Sequence, residues 1–311
     1  MSAAGATAVA LVGATATGKS ALAHRVALEH GAVEVLCVDA MTVYRRMNIA
    51  TAKPTLDARR EVAYHLLDLI EPSDEFTLAQ FQGAARVAAA GVWAADRSVL
   101  YVGGTGLYGR AVFDNFDIPG QYPQLRGELE GAAQGDLAAL YQRLGELDPL
   151  AASRMEPTNA RRIVRALEVT MGSGRAFSSF GPGLQSYGPV RVVQIGLRVE
   201  PTMLHARIEQ RFRQWLEEGL VDEVAALAQN AHGLSRTARQ AVGYRELLAH
   251  LEDGAPLEAC VAAAITHSRR LARRQRAWFE RDPRVEWFDD VVRAEARVHA
   301  VLNGPNGFVR D

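Results

Sequence analysis

The chain has 311 residues, enough for about two domains at roughly 150 residues each, and its 48% hydrophobic and 23% charged content excludes a disordered chain. Two cysteines, Cys37 and Cys260, exclude a disulfide framework and a multi-cysteine zinc or iron–sulfur site. A net charge of −1 excludes indiscriminate binding of nucleic acid, and no apolar run approaches the roughly 18–20 residues that cross a bilayer.

In chain order, the N-terminus lacks the basic region of a signal peptide. Its apolar run Ala8–Val12 enters a glycine-rich loop, so it reads as a first strand of a cytoplasmic protein. Lys19–His30 has helical periodicity, with Leu22, Val26 and Ala27 on one face. Residues 33–38 form a second apolar run ending at Asp39, residues 77–96 read as a helix, and residues 99–102 read as a third strand before Gly103 and Gly104. Short buried strands alternating with helices predict a parallel sheet with helical crossovers, and functional loops in such sheets lie beyond the strands' carboxyl ends. The character changes near Asn115. Residues 117–122 read as a linker, 124–147 and 160–170 as helices, and 172–189 as a loop rich in glycine, serine and proline. Residues 190–198 alternate like a strand. Beyond them, 201–229, 239–251 and 256–281 read as helices.

The strongest motif is Gly13-Ala14-Thr15-Ala16-Thr17-Gly18-Lys19-Ser20, which fits GxxxxGK[ST] between a strand and a helix. Its glycines let backbone N–H groups converge on phosphate oxygens, and the helix start adds partial positive charge. Lys19 supplies a point charge and Ser20 a hydroxyl for Mg²⁺. Lys19 and Lys53 are the only lysines, the remaining positive charge being arginine; a lysine kept against that bias marks a position that needs one. Asp39, at a strand end facing the phosphate loop, reads as a base or metal ligand, or as a cap for the turn that follows. Thr105, after two glycines, offers a hydroxyl to a bound group, although a tight strand–helix turn explains the glycines equally well. No acidic pair ends an apolar run, so a hydrolysing motor is disfavoured. No HExxH or HxxxH pairing supports catalytic zinc, and no serine–histidine triad is visible. Arginines cluster at 161, 162 and 165, at 207, 211 and 213, and most densely from Arg269 to Arg284, beside Trp278 and Phe279. Few acids lie within that last cluster, which favours a polyanionic partner over a merely solvated face.

Taken in order, GATATGKS (13–20), DAMTVYRRMNIATAKP (39–54), HLLDLIEP (65–72), VGGTGLY (102–108), NARRIVRALEV (159–169), RIEQRF (207–212), ARQAVGYRE (238–246) and LARRQRAWF (271–279) resemble the tRNA dimethylallyltransferases from Leu11 to about Trp287. The resemblance implies an α/β fold, a P-loop parallel-sheet core with a helical insertion domain and a helical C-terminal region. Residues 1–116 are then the first part of the core, 117–187 the insertion, and 188–311 the returning strand and C-terminal helices. It implies transfer of a dimethylallyl group from dimethylallyl diphosphate to N6 of adenine 37, in the anticodon stem-loop of tRNA, by a monomer that uses Mg²⁺. The loop 13–20 then binds the diphosphate with Lys19, Ser20 and Arg211, Asp39 is the general base, and Thr105 lies near the reacting centre. The tRNA contacts implied are Asp39, Ala40, Met41, Thr42, Thr105, Arg126, Arg161, Arg162, Arg165, Arg239, Gln240, Arg245, Arg274, Gln275 and Arg281.

The chain departs from the family pattern at Ala40 (usually serine), Thr42 (often glutamine), Arg46 (glycine), Asn48 (aspartate), Ala50 (glycine) and Tyr122 (commonly aspartate). Most departures lie in the segment that carries Asp39, and they leave open a changed RNA contact or a non-catalytic RNA-binding relative. An enzyme that prenylates free adenine nucleotides shares the phosphate loop but has no need of the insertion or the arginine-rich helix. A P-loop small-molecule kinase would need an acid at an ATP site and lid arginines.

Overall fold

A computed structural model describes residues 8–181 and 183–304. The chain forms two compact units: one combines Met1–Asp114 with Pro189–Asp311, and the other is Asn115–Gly188.

The larger unit begins with β1 (Ala8–Val12), α1 (Lys19–His30), β2 (Val33–Cys37), α2 (Leu56–Glu61), β3 (Tyr64–His65), α3 (Leu78–Ala94), β4 (Ser98–Gly103) and α4 (Gly106–Phe113). The smaller unit holds α5 (Pro123–Gly135), α6 (Leu137–Leu147), α7 (Pro149–Ser153) and α8 (Ala160–Ser173). The chain then returns through β5 (Val192–Leu197), α9 (Pro201–Glu217), α10 (Leu220–Ala228), α11 (Tyr244–Asp253), α12 (Leu257–Phe279), β6 (Val285–Phe288) and α13 (Val291–Asn303). The strands form one six-stranded sheet in the order β3-β2-β4-β1-β5-β6, every pair parallel.

The central strands are continuous apolar runs because both sheet faces are covered. Ala8, Ala10 and Val12 of β1 join one core with Phe81, Tyr244, Leu247 and Phe279, while Val9 and Leu11 join another with Leu22, Val26 and Val298. Register sets Val12 opposite both Gly103 and Gly196, and Cys37 opposite Val102. The loops that follow β1, β2, β4 and β5 therefore open at one edge of the sheet, where α/β folds bind ligands.

Three predicted helices divide differently. Residues 201–229 break at Gly219, whose φ of +91° stops α9 and starts α10. Residues 124–147 break at Asp136, whose carboxylate caps α6 by accepting from Ala139 N at 2.9 Å. In 239–251 a 3-10 turn at Ala238–Gln240 precedes Gly243 (φ +95°), and α11 starts only at Tyr244. The C-terminal region is also not purely helical, because β6 pairs with β5 at the sheet edge. Trp287 of β6 needs Gly196 beneath it: a Cβ there would lie 2.5 Å from the indole.

The smaller unit has its own core of Leu129, Leu140, Leu144, Met155, Ile163 and Leu167. Within it Glu168, fully buried, accepts from Tyr122 N at 2.8 Å and pairs with Arg165 at 2.9 Å and Arg126 at 3.6 Å. Tyr122 caps α5 with no side-chain hydrogen bond; its ring lies over Gly172 instead, where a Cβ would come within 2.3 Å. Among the described residues no helix is long and apolar enough to cross a membrane.

Candidate active site

The loop after β1 turns on two positive-φ glycines, Gly13 (+128°) and Gly18 (+97°). A Cβ on Gly13 would lie 3.3 Å from the Leu197 carbonyl, so the loop needs glycine to lie against the end of β5. Gly18 supplies no side chain to cap α1, which leaves the amides of the first turn to an outside acceptor. Lys19, only 7% exposed, donates from Nζ to the Ala14 carbonyl and lies 3.4 Å from Thr17 Oγ1, which itself donates to Ala14 O at 3.0 Å. Burial pushes the Lys19 ammonium down to about 7; the Arg211 guanidinium pushes the same way and the Asp39 carboxylate opposes. Ser20 is exposed on the first turn of α1.

Arg211 reaches the loop from α9. Its Nη2 donates to Thr15 Oγ1 at 2.7 Å, and its guanidinium stacks over Trp215 with 4.6 Å to the ring centroid. Its Nε is buried with no partner among the described residues, and desolvation lowers its pKa to about 10. The buried Lys19 and the half-buried Arg211, whose Nε is buried, thus meet at one loop with no carboxylate bonded to either among the described residues, an arrangement complementary to an anion.

Asp39 follows β2 and uses both carboxylate oxygens. Oδ1 accepts from Met41 N at 2.8 Å, closing the turn, and Oδ2 accepts from the Thr105 hydroxyl at 3.1 Å. The cap reading of Asp39 is therefore realised on Oδ1, while Oδ2 meets the Thr105 hydroxyl. Thr105 Oγ1 in turn accepts from Ala40 N at 3.3 Å. The glycines around Thr105 serve close packing. A Cβ on Gly103 would lie 2.0 Å from the Val38 carbonyl, one on Gly104 2.5 Å from Gln275 Nε2, and one on Gly106 2.1 Å from the Trp278 ring. Helix α12 thus inserts Gln275 and Trp278 on either side of Thr105, and Gln275 Oε1 accepts from Thr15 N at 2.8 Å. Sequence reading missed these two packing roles; the glycine at 106 was the available signal for the indole.

The segment 39–54 is held by the second lysine. Lys53, whose side chain is 1% exposed, donates to the Tyr44 carbonyl, to Asp68 Oδ1 at 2.7 Å and to Asn48 Oδ1 at 3.3 Å. Glu223 accepts from Asn48 N at 3.0 Å and from the Tyr244 hydroxyl at 2.5 Å. Most departures from the family pattern have local accounts. Ala40 contributes its backbone N–H to Thr105, which needs no side chain. Asn48 bonds Lys53 as an aspartate would. Arg46 has φ +61°, a left-handed conformation that suits glycine, and its guanidinium pairs with Glu71 at 2.8 Å. The Ala50 methyl would lie 3.1 Å from a Cβ on residue 243, so it fits because that residue is glycine. Thr42 is buried with no hydrogen-bond partner for its hydroxyl among the described residues, and nothing in the structure explains it.

The residues expected to meet RNA are dispersed. Arg126 and Arg165 are engaged by Glu168 inside the smaller unit, whereas Arg161 and Arg162 are exposed on α8. Arg239 pairs with Glu252, Arg245 with Glu246, and Gln240 is exposed. Of the densest cluster, Arg269, Arg276 and Arg284 are paired with Glu209, Glu280 and Asp114. Arg270, Arg273, Arg274 and Arg281 are exposed, with no ion pair among the described residues.

A parallel sheet with a glycine-led loop after its central strand and a buried lysine heading the next helix defines a P-loop-like α/β protein. The IPP transferase family model matches residues 42–282. The chain is 41% identical over 302 residues to the tRNA dimethylallyltransferase of a Nocardioides species, covering 95% of this chain and 97% of the relative. It is 44% identical over 287 residues to that of Thermobifida fusca, covering 90% and 89%. Among solved structures it is similar to the full-length tRNA isopentenylpyrophosphate transferase of Bacillus halodurans, at 34% identity and TM-score 0.69 over 97% of each chain. The chain belongs to the IPP transferase family, the tRNA dimethylallyltransferases.

Proposed function

We infer that this chain transfers the dimethylallyl group of dimethylallyl diphosphate to the exocyclic N6 amine of adenine 37 in tRNA, next to the anticodon. The observation that carries this reading for the site is the convergence of the buried Lys19 and the half-buried Arg211 on the loop 13–20, beside an Asp39–Thr105 pair whose charge acts on the same lysine. In the reaction the allylic C1–O bond breaks and its electrons leave with diphosphate. The amine lone pair forms the N–C1 bond, and the N6 proton passes to the Asp39 carboxylate. Lys19, Arg211 and the loop amides face the charge that grows on the leaving diphosphate. The Met41 N–H and the Thr105 hydroxyl fix the Asp39 carboxylate, which matters because an aromatic amine is a weak nucleophile.

The Ser20 hydroxyl, a hard oxygen donor on the first turn of α1, would hold a Mg²⁺ ion, which would neutralise leaving-group charge. Extruding adenine 37 costs a few kcal/mol of unstacking. The unpaired arginines of α12, with Arg239, Gln240, Arg245, Arg161 and Arg162, supply phosphate contacts to offset it. Arg126 and Arg165 contribute by way of the Glu168 network that holds them.

The test supplies labelled dimethylallyl diphosphate and Mg²⁺ with either unmodified tRNA containing adenines 36 to 38 or free AMP. Label in the tRNA is expected; label in AMP alone would overturn the reading in favour of a free-nucleotide prenyltransferase.

A further inference from the structure

Thr15 is gripped from two distant helices. Arg211 of α9 holds its hydroxyl at 2.7 Å, and Gln275 of α12 holds its backbone N–H at 2.8 Å. The second contact is chemically unusual for a phosphate loop, because backbone N–H groups are what such a loop offers an anion. An amide hydrogen given to the Gln275 carbonyl oxygen is not fully given to a phosphate oxygen. The seat is built: Gly104 leaves room for the Gln275 amide, which a Cβ would meet at 2.5 Å. Gln275 lies between Arg274 and Arg276, which are exposed, while Gln275 itself is half-buried.

We propose that Gln275 is a positioning residue of the donor site, a latch whose amide oxygen occupies the Thr15 N–H until the donor's diphosphate takes it over. This rests on the reading that the loop 13–20 binds diphosphate. Without an anion the latch occupies the Thr15 N–H, and its release frees the Gln275 amide on the α12 face beside Arg274. By reciprocity, any RNA contact that draws Gln275 away from Thr15 tightens donor binding by the same factor that donor tightens RNA binding.

The test measures the affinity of the full chain for inorganic diphosphate by calorimetry, without RNA, for the wild type, Gln275→Leu, Gln275→Glu and Lys19→Ala. Gln275→Leu keeps the size but removes the acceptor, and its diphosphate binding is expected to tighten about fivefold, the worth of one competing hydrogen bond. Gln275→Glu places a charged acceptor on the same N–H and should weaken binding by about tenfold or more. A residue that merely supported the fold would loosen binding in both variants. Gly104→Ala is the second route: its methyl displaces the Gln275 amide without altering α12, and the same tightening is expected. If Lys19→Ala abolishes binding while Gln275→Leu and Gly104→Ala leave it unchanged or weaker, the latch is refuted and the phosphate-loop reading stands. If Lys19→Ala leaves binding unchanged, that reading falls and the latch with it.

Discussion

Binding of the donor should draw a proton onto Lys19. Lys19 is 7% exposed, and its burial and the repulsion of Arg211, opposed by the Asp39 carboxylate, bring its pKa from 10.5 to about 7. At pH 8 the free protein therefore holds only about 0.1 proton on this nitrogen. A diphosphate beside it restores the charged form, so binding at pH 8 takes up about 0.9 proton, and at pH 6 only about 0.1. The full shift corresponds to about 5 kcal/mol of linkage, an upper bound reached when the bound lysine regains its ordinary value. Calorimetry of a non-reactive diphosphate monoester in buffers of different ionisation enthalpy reads the uptake directly. Lys19→Arg is the control, because guanidinium stays charged and the ligand's own protons are common to both proteins. The ligand-free protein carries the same sign. The unfolded chain binds the lysine proton between pH 7 and 10.5 and the folded chain does not, so this contribution to stability is present above pH 10.5 and is lost as pH falls to about 7. Equal uptake in wild type and Lys19→Arg at pH 8 would refute the argument.

Further outcomes follow from the same geometry. Asp39→Asn keeps an acceptor for Met41 N–H but removes the base; turnover is expected to fall by about 10²–10⁴ while donor affinity changes less than about threefold, and equal losses in both would assign Asp39 to binding. Lys53→Arg should not rescue Lys53→Met. The three acceptors around Nζ suit a compact ammonium, so both variants are expected to lose about 2 kcal/mol in urea unfolding, and a neutral Lys53→Arg would show that any cation serves. Gly106→Ala drives a methyl into Trp278 and should cost about 1–3 kcal/mol, with Thr105 displaced and turnover reduced; an unchanged unfolding midpoint would show that the indole yields freely. Arg274→Ala should weaken tRNA binding and reduce the slope of log affinity against log salt by about 1, and an unchanged slope would remove it from the phosphate contacts.

What the amino-acid sequence determined by itself is local. The loop 13–20 was legible because its glycines, lysine and serine are contiguous and their spacing is the motif. The buried strands were legible because central parallel strands must be apolar on both faces. The unusual lysine at 53 announced itself by composition, and its buried three-acceptor nest supplies the reason. Tertiary structure alone decided three things. It decided that β6 is a strand, because four residues at a sheet edge carry too little periodicity to separate from a loop. It decided that Gly219 ends a helix, because an isolated glycine is tolerated inside a helical pattern and only the left-handed turn shows that the chain stops there. And it decided that Gln275 reaches the phosphate loop, where the family resemblance, and no local spacing, had placed Arg211 alone among the arginines. Arg211 and Gln275 meet Thr15 across 196 and 260 residues of chain, and that meeting is set by how α9 and α12 pack at the carboxyl edge of the sheet, which no local spacing encodes.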